Sequence, residues 1–372
     1  MKREQARLAR QAATDAQKPL PNDHPGRQAA SGSEQEDFYY RELEEESNDV
    51  CGCNEPEPAK SFWAKGWHPR VDNSALGFEE NSKEGLNGLQ DVVSYTAVSF
   101  AAYRAIESER PDALFQDPLA AYLAGDRVVS RQKAEVANKD YPGARFAVRT
   151  KYFDLAMMSA IEEMKAQNSQ AKVQVVLFGC GMDARSWRLP ATLETVPPAD
   201  KVFEGDRPDV MGLKEQLLSI REEAGGLPPL TLAKQRVVLA VDFNTDTWKE
   251  LILQKGFRKS EPTVWLFEGL IMYLTPAGVT SLVETVAEFS APGSVLLIDG
   301  ISASAVDRAK SSPSPVLRSW TWGSNDPETF FNAHGWRVTT VDDVTGGMFG
   351  RVLPSWPGRE RNLTWYMTAK RE

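Results

Sequence analysis

The run VVLFGCGMDARSWRLP, Val175 to Pro190, decides the fold. Its apolar head stops at Gly179, a second glycine follows at Gly181, and Asp183, Arg185 and Arg188 come next. An apolar, β-branched run that breaks on G-x-G reads as a strand turning into a helix. The glycines withhold side chains where a ligand would approach the backbone. Read as G-x-G-x-x-A with Ala184 last, the turn also meets the dinucleotide fingerprint. A dinucleotide, a nucleoside cofactor and a plain tight turn all fit at this point.

The pattern around the run narrows the fold. From Ala171 onward, β-rich runs alternate with helical stretches: 173–178, 201–204, 236–241, 263–267, 294–300, 336–341 and 363–369, seven in all. The first five are continuously apolar, and helices are expected over Val210–Glu223, Asp246–Lys255 and Pro276–Phe289. That alternation predicts a parallel sheet covered on both faces. The last two runs are joined by a long loop, which places an antiparallel strand late. Upstream, SYTAVSFAAYRAIESE (94–109) sets Val98, Ala101, Ala102, Ala105 and Ile106 on one helical face. Asp117-Pro118 opens a second helix closed by Gly125, and a third is expected over 144–168. The predicted fold class is therefore α/β, a doubly wound, mostly parallel, seven-stranded Rossmann-like sheet with an N-terminal helical cap. The cap is expected over 91–170 and the core over 171–372.

Residues 1–65 are rich in Gln, Glu, Ser, Asn and Pro, and between Ser33 and Glu57 ten acids face one base, Arg41. Such a segment cannot bury enough apolar surface to offset the entropy of ordering, so a disordered acidic tail is expected there and a linker over 66–90. Phe62, Trp63 and Trp67 form a short aromatic patch between them. The net charge of -9 disfavours unselective nucleic-acid binding, and the acidic tail suits a basic partner. The longest apolar stretch, Val264–Leu274, is broken by Glu268 and is too short for a membrane span. With no apolar core near the start, a cytoplasmic protein is expected. Cys51 and Cys53 lie in the tail and Cys180 in the glycine turn, so no disulfide framework is implied. His24, His68 and His334 are too far apart to suggest a catalytic metal.

In doubly wound sheets, ligands bind at the carboxyl ends of the strands. Acids follow four successive predicted strands: Asp183, then Glu204 and Asp206, then Asp242, then Glu268. Such a set would repel a pyrophosphate, although one acid after the second strand serves either cofactor by bonding ribose hydroxyls. It suits a cation. S-adenosyl-L-methionine offers a sulfonium, an ammonium, a ribose diol and an adenine amino group, and is the cofactor expected. The competing reading is that individual acids, Asp183 above all, cap helices.

The blocks TAVSFAAYRAIESERPDALFQDPLAAYLAG (96–125), RTKYFD (149–154), the glycine run, VFEGDRPDV (202–210) and WLFEGLIMYLTP (265–276) resemble the leucine carboxyl methyltransferase family. The nearest branch is a mainly bacterial one of S-adenosyl-L-methionine-dependent methyltransferases, and the resemblance covers roughly 91–371. It implies that Gly179 and Gly181 form the cofactor loop, that Asp206 holds the ribose and that Asp242 and Phe243 flank the adenine. It further implies that Glu268 lies near the methionine amino group and that Arg149 pairs with the cofactor carboxylate. The chain departs from the leucine-directed members in lacking their lysine near the start. No motif for a defined substrate stands in Ile301–Ser324.

The expected activity is O-methyl transfer to a carboxylate or hydroxyl, of a small molecule or, more narrowly, of a protein C-terminus. A carboxylate is favoured because it is ionised at neutral pH and needs no general base, and only His334 lies near a predicted strand. Arg104 and Tyr273 are the candidate substrate contacts. An arginine such as Arg104 more often makes a structural salt bridge, here to Glu107, helical packing explains Tyr273 equally well, and Arg185 and Arg188 share that ambiguity. Trp320 and Trp322 read as a lid over an apolar substrate or as ordinary packing. Two other classes remain open: a non-catalytic cofactor-binding module and an NAD-dependent oxidoreductase.

Overall fold

The structure, a computed structural model, describes Leu89 and residues 91–137, 143–189, 199–312, 314–344, 348–351 and 364–372. The expected acidic tail and the linker apart from Leu89, with Cys51, Cys53, His24 and His68, lie outside the described residues.

Seven strands form one sheet: β1 (Gln174–Phe178), β2 (Ala199–Asp206), β3 (Ala233–Ala240), β4 (Thr263–Phe267), β5 (Val295–Ile301), β6 (Arg337–Asp343) and β7 (Thr364–Lys370). Their order is β3-β2-β1-β4-β5-β7-β6. The pairs from β3 through β5 are parallel, and β7 runs antiparallel to both β5 and β6. This is the doubly wound sheet with a late antiparallel strand that the alternating pattern predicts. β3 begins earlier than its apolar run because it is an edge strand. Lys234 and Gln235 face solvent and leave no hydrophobic signature.

Helices α1 (Val92–Ser108), α2 (Ala120–Ala124), α3 (Asp126–Ala137) and α4 (Ala144–Gln167) precede the sheet. The Asp91 side chain caps α1 by accepting from the N–H groups of Val93 and Ser94. Gly125, at φ 81°, ends α2 as expected. The unforeseen α3 starts at once after it, with little besides Val128 and Val129 to reveal its apolar face. Later come α5 (Arg185–Arg188), α6 (Pro208–Glu223), α7 (Thr247–Gln254) and α8 (Pro276–Glu288). The segment 301–324, which showed no motif, contains α9 (Ala303–Ala309) and α10 (Pro315–Arg318), and α11 (Pro327–Ala333) follows. Their caps Ser302, Ser314 and Asp326 were legible, two of them directly before proline.

Strand alternation divides the core. Val176, Phe178, Trp265, Phe267, Leu296 and Ile298 bury on one face with α7 and α8, among residues such as Trp248 and Val283. Val175, Leu177, Val264, Leu266 and Leu297 bury on the other against Phe153, Met157 and Ile161 of α4. A third cluster joins α1, α2 and α3 to α6 through Met182 and Trp187. β1 therefore ends between two packed layers with α1 across its tip, which places the glycine turn at the switch point. Among the described residues no helix is long and apolar enough to cross a membrane.

Candidate functional site

A cleft of about 210 Å³ opens at the carboxyl ends of β1 to β4. Its lining includes Arg149, Gly179, Gly181, Asp183, Asp206, Asp242, Phe243 and Glu268, together with Arg104 and Tyr273. Residues scattered over 170 positions of chain thus meet around one opening, which is the geometric content of the sequence reading.

The glycines are fixed by backbone geometry and space together. Gly179 and Gly181 sit at φ 68° and 47°, where side chains with a Cβ are strained. A Cβ at Gly179 would meet the Leu270 Cβ at 3.0 Å, and one at Gly181 would meet the Ala97 Cβ of α1 at 3.1 Å. The N–H groups of Gly179 and Cys180 both donate to the Gly205 carbonyl, at 2.9 and 3.2 Å, pinning the turn to β2. Replacing Gly181 by Ala should cost about 1–2 kcal/mol from the left-handed backbone alone, read as a lower urea midpoint. An unchanged midpoint would show that the turn relaxes freely.

Asp206 ends β2 and is half-buried. Its Oδ2 accepts from Gly181 N–H at 2.6 Å and its Oδ1 from Arg207 N–H at 2.7 Å. Burial pushes its carboxyl up, and the two backbone donors hold it down. Each oxygen keeps a lone pair for a hydroxyl. At the end of β3, Asp242 is exposed and accepts from Asn244 N–H at 2.9 Å. Phe243 is buried, packed 4.4 Å between ring centroids from Phe178.

The deeper acids are not bare, and this corrects the charge argument. Glu204, named with Asp206 at the end of β2, is fully buried beneath the sheet's edge. There Lys214 at 2.7 Å, Arg236 at 2.8 Å and the Ser186 hydroxyl hold it. Two residues of strand decide between a site and a buried ion cluster. Asp183 pairs with Arg185 Nη1 at 2.5 Å and accepts from Arg185 N–H at 2.8 Å. Although burial pushes its carboxyl up, Arg185 and Arg188 hold it below the ordinary range. Arg185 also binds Asp154 at 2.7 Å and lies 2.7 Å from Glu268 Oε2. Arg188 bonds Asp154 at 2.7 Å and stacks over Phe115.

Glu268 stands between two arginines. Arg149 Nε donates to its Oε1 at 2.9 Å, while Arg149 Nη1 donates to Asp299 Oδ2 at 3.1 Å. Nη2 takes no part in either pair. The Arg185 contact to Oε2 lacks hydrogen-bond alignment, so this buried oxygen has no donor among the described residues. Arg104 lines the cleft with its guanidinium held by Asp117 at 3.1 Å and the Met182 carbonyl at 2.5 Å, whereas Glu107 pairs with Arg351.

A second chamber of about 100 Å³ adjoins the cleft, and Thr96, Phe100, Arg149, Gly269 and Tyr273 belong to both walls. Tyr273, in the 3₁₀ turn Ile271–Tyr273, has its phenol pushed up by burial and lowered by the Trp320 N–H and by Arg149. Trp320 lines this chamber, but Trp322 is buried against Phe330 and Trp365 as ordinary packing. His334 lines neither cavity; its Nδ1 lies 2.7 Å from the Phe330 carbonyl.

Two residues were missed in the sequence. Asp299 is 1% exposed on β5, with Oδ1 accepting from Gly269 N–H at 2.6 Å. It is the one acid in the otherwise apolar run SVLLIDG, and that was its signal. Gly269 sits at φ 67°, where a Cβ would stand 3.3 Å from the Arg149 guanidinium. Its place directly after Glu268 repeated the strand-glycine pattern of β1.

These residues fit S-adenosyl-L-methionine. Two glycines leave a cradle that a Cβ would fill, Asp206 offers acceptor positions at the strand tip, and Glu268 keeps a buried oxygen without a donor.

Comparison with known proteins gives the following. The family model described as leucine carboxyl methyltransferase matches residues 97–287. A relative from Parafrankia sp. (strain EAN1pec), named as an S-adenosyl-L-methionine-dependent methyltransferase, is 35% identical over 273 residues, 68% of this chain and 79% of its own. One of the same name from Mycolicibacterium gilvum (strain PYR-GCK) is 34% identical over 295 residues, 72% and 89% of the two chains. Among solved structures, a DUF574 family protein from Streptomyces avermitilis has a TM-score of 0.43 at 13% identity, covering 74% of this chain and 97% of that one.

Proposed function

Since this chain belongs to the leucine carboxyl methyltransferase family and is an S-adenosyl-L-methionine-dependent methyltransferase, we propose that it methylates an oxygen of a small molecule, with a carboxylate as the acceptor group. A hydroxyl is the alternative acceptor. The observation that carries the reading is that Asp299 and Glu268, beside the shared wall, are both ion-paired with arginine. Both oxygens of Asp299 are taken by Gly269 and Arg149, Glu268 lies between two arginines, and among the described residues no histidine lines either cavity. A site without a base at hand suits a nucleophile that is already ionised. The family description also favours a narrower form, in which the acceptor is the C-terminal carboxylate of a protein.

Bound in the cleft, the cofactor supplies a methyl group made electrophilic by its sulfonium. The chain's own residues supply position. Asp206 is placed to accept from ribose hydroxyls, and Asp242 and Phe243 to flank the adenine. Glu268 is placed to receive an ammonium on Oε2, and Arg149 to offer Nη2 to a carboxylate. Orienting the reactants accounts for up to roughly 7–11 kcal/mol of barrier in reactions of this kind.

Calorimetry with S-adenosyl-L-methionine and with NAD tests the cofactor part. A ligand at about 100 times its dissociation constant adds about 2.7 kcal/mol of stability. Stabilisation by NAD alone overturns the reading, and binding without any methyl transfer in cell extract points to a non-catalytic module. Asp206→Ala should weaken cofactor binding by about 1–3 kcal/mol, roughly 5- to 150-fold in Kd. Unchanged affinity in titration calorimetry would reduce Asp206 to a clasp on the glycine turn.

A further inference from the structure

The chamber beside the cleft describes its own occupant. One wall is a contiguous aromatic surface: Phe146 stacks on Tyr103 with centroids 5.1 Å apart, and Phe100 packs on Phe146 at 4.6 Å. Met272, Ile301, Val316 and Trp320 line it as well. Its charged lining residues are Arg131, Arg145, Arg149 and Asp299. Arg145 and Arg149 are one helical turn apart on α4, so both come to the same face.

Buried polar atoms provide an independent observation. Ser99 Oγ and Gln132 Oε1 are both buried without a hydrogen-bond partner among the described residues, and both residues line this chamber. Ser99 and Gln132 are 5% and 6% exposed. Native interiors rarely leave such atoms unpaired, so two at one chamber indicate a polar ligand or water there. The volume, about 100 Å³, is on the scale of the roughly 150 Å³ engineered cavity that admits benzene.

We infer that the methyl acceptor is a small single-ring aromatic carboxylic acid. Its ring lies against the Phe100–Phe146–Tyr103 wall, its carboxylate lies toward Arg145, and a further polar substituent meets Ser99 or Gln132. This inference rests on the proposed methyl transfer to a carboxylate. In the step, a carboxylate oxygen forms the new O–CH₃ bond as the methyl–sulfur bond breaks. The products are a neutral methyl ester and S-adenosylhomocysteine, and no proton moves. Loss of the acid's charge removes its attraction to Arg145 and aids release.

The test incubates the full chain with methyl-labelled S-adenosyl-L-methionine and, separately, benzoate, phenylacetate, cinnamate, cyclohexanecarboxylate, hexanoate, phenol and a peptide ending in leucine. Base-labile label in the extracted ester is measured. The expected result is a kcat/KM for at least one ring acid ten-fold or more above cyclohexanecarboxylate and hexanoate. Phe146→Leu should cut that preference several-fold, and Arg145→Gln should raise KM for the acid. Both should leave the Kd for S-adenosyl-L-methionine unchanged, which also reports that the variants fold. Equal rates for saturated acids, preference for the peptide or phenol, or no ester from any ring acid overturns the inference while the methyltransferase reading stands. Failure of the cofactor to bind overturns that reading, and the inference with it.

Discussion

Arg185→Leu should lower the free energy of unfolding by about 3–5 kcal/mol, because removing one partner leaves a buried carboxylate, that of Asp183, uncompensated. The side chain is 3% exposed and faces Asp154, Asp183 and Glu268 at 2.5–2.7 Å, so the substitution strips Asp183 of its ion-pair partner and leaves Asp154 to Arg188 and Glu268 to Arg149 alone. The Thr150 carbonyl also loses the Nη2 bond it accepts at 3.2 Å. In a unit of this size the loss corresponds to a fall in Tm of about 6–20 °C. Arg185→Lys should recover only part of it, since an ammonium keeps the charge but cannot present the planar fork that reaches three partners at once. Urea unfolding of the two variants measures both effects. A Leu variant within 1 kcal/mol of the parent would mean that neighbouring arginines, Arg188 and Arg149, take over the acids.

The second large effect is on acid stability. Glu204 is fully buried with Lys214 and Arg236. Burial raises its carboxyl, but the two cations more than reverse this and draw it down from 4.5 to about 2. Since the folded value lies below the unfolded one, the stabilisation is complete above about pH 4.5 and is lost as pH falls toward 2. At 1.36 kcal/mol per unit the loss is roughly 3 kcal/mol. Asp154 and Asp183 are lowered as well and act in the same direction. Asp206 and Asp299, raised by burial, act in the opposite sense, since their folded forms take up protons more readily. Urea midpoints between pH 6 and pH 3 should therefore fall steeply for the parent and less steeply for Glu204→Gln. Parallel curves for the two proteins would remove Glu204 from the account. The same variant should be less stable at pH 7, where Lys214, with no exposed side-chain surface, loses its counter-charge.

Local sequence determined the layout. Apolar runs of strand length after Ala171 revealed the number of strands and their places along the chain, because a strand buried on both faces has no polar positions to obscure it. The glycines at 179 and 181 were legible for a related reason: a positive φ with a neighbour 3.0–3.1 Å from the missing Cβ leaves no other residue type unstrained. Helix α3 was not, since a short helix with its apolar face on Val128 and Val129 carries too little period to detect.

Only the tertiary structure decided what the acids do. Asp183, Glu204, Asp206 and Glu268 look equivalent in the sequence, each near the end of a strand. In the fold, Arg185 takes the first and Lys214 with Arg236 the second, while Arg149 and Arg185 bracket the last. Asp206 instead meets backbone N–H groups. Those cations come from helices and from β3, up to 119 residues away. A strand's alternation says which face a carboxylate takes, but its free charge depends on whether a cation from another element reaches it. That is a property of packing, which no local pattern encodes.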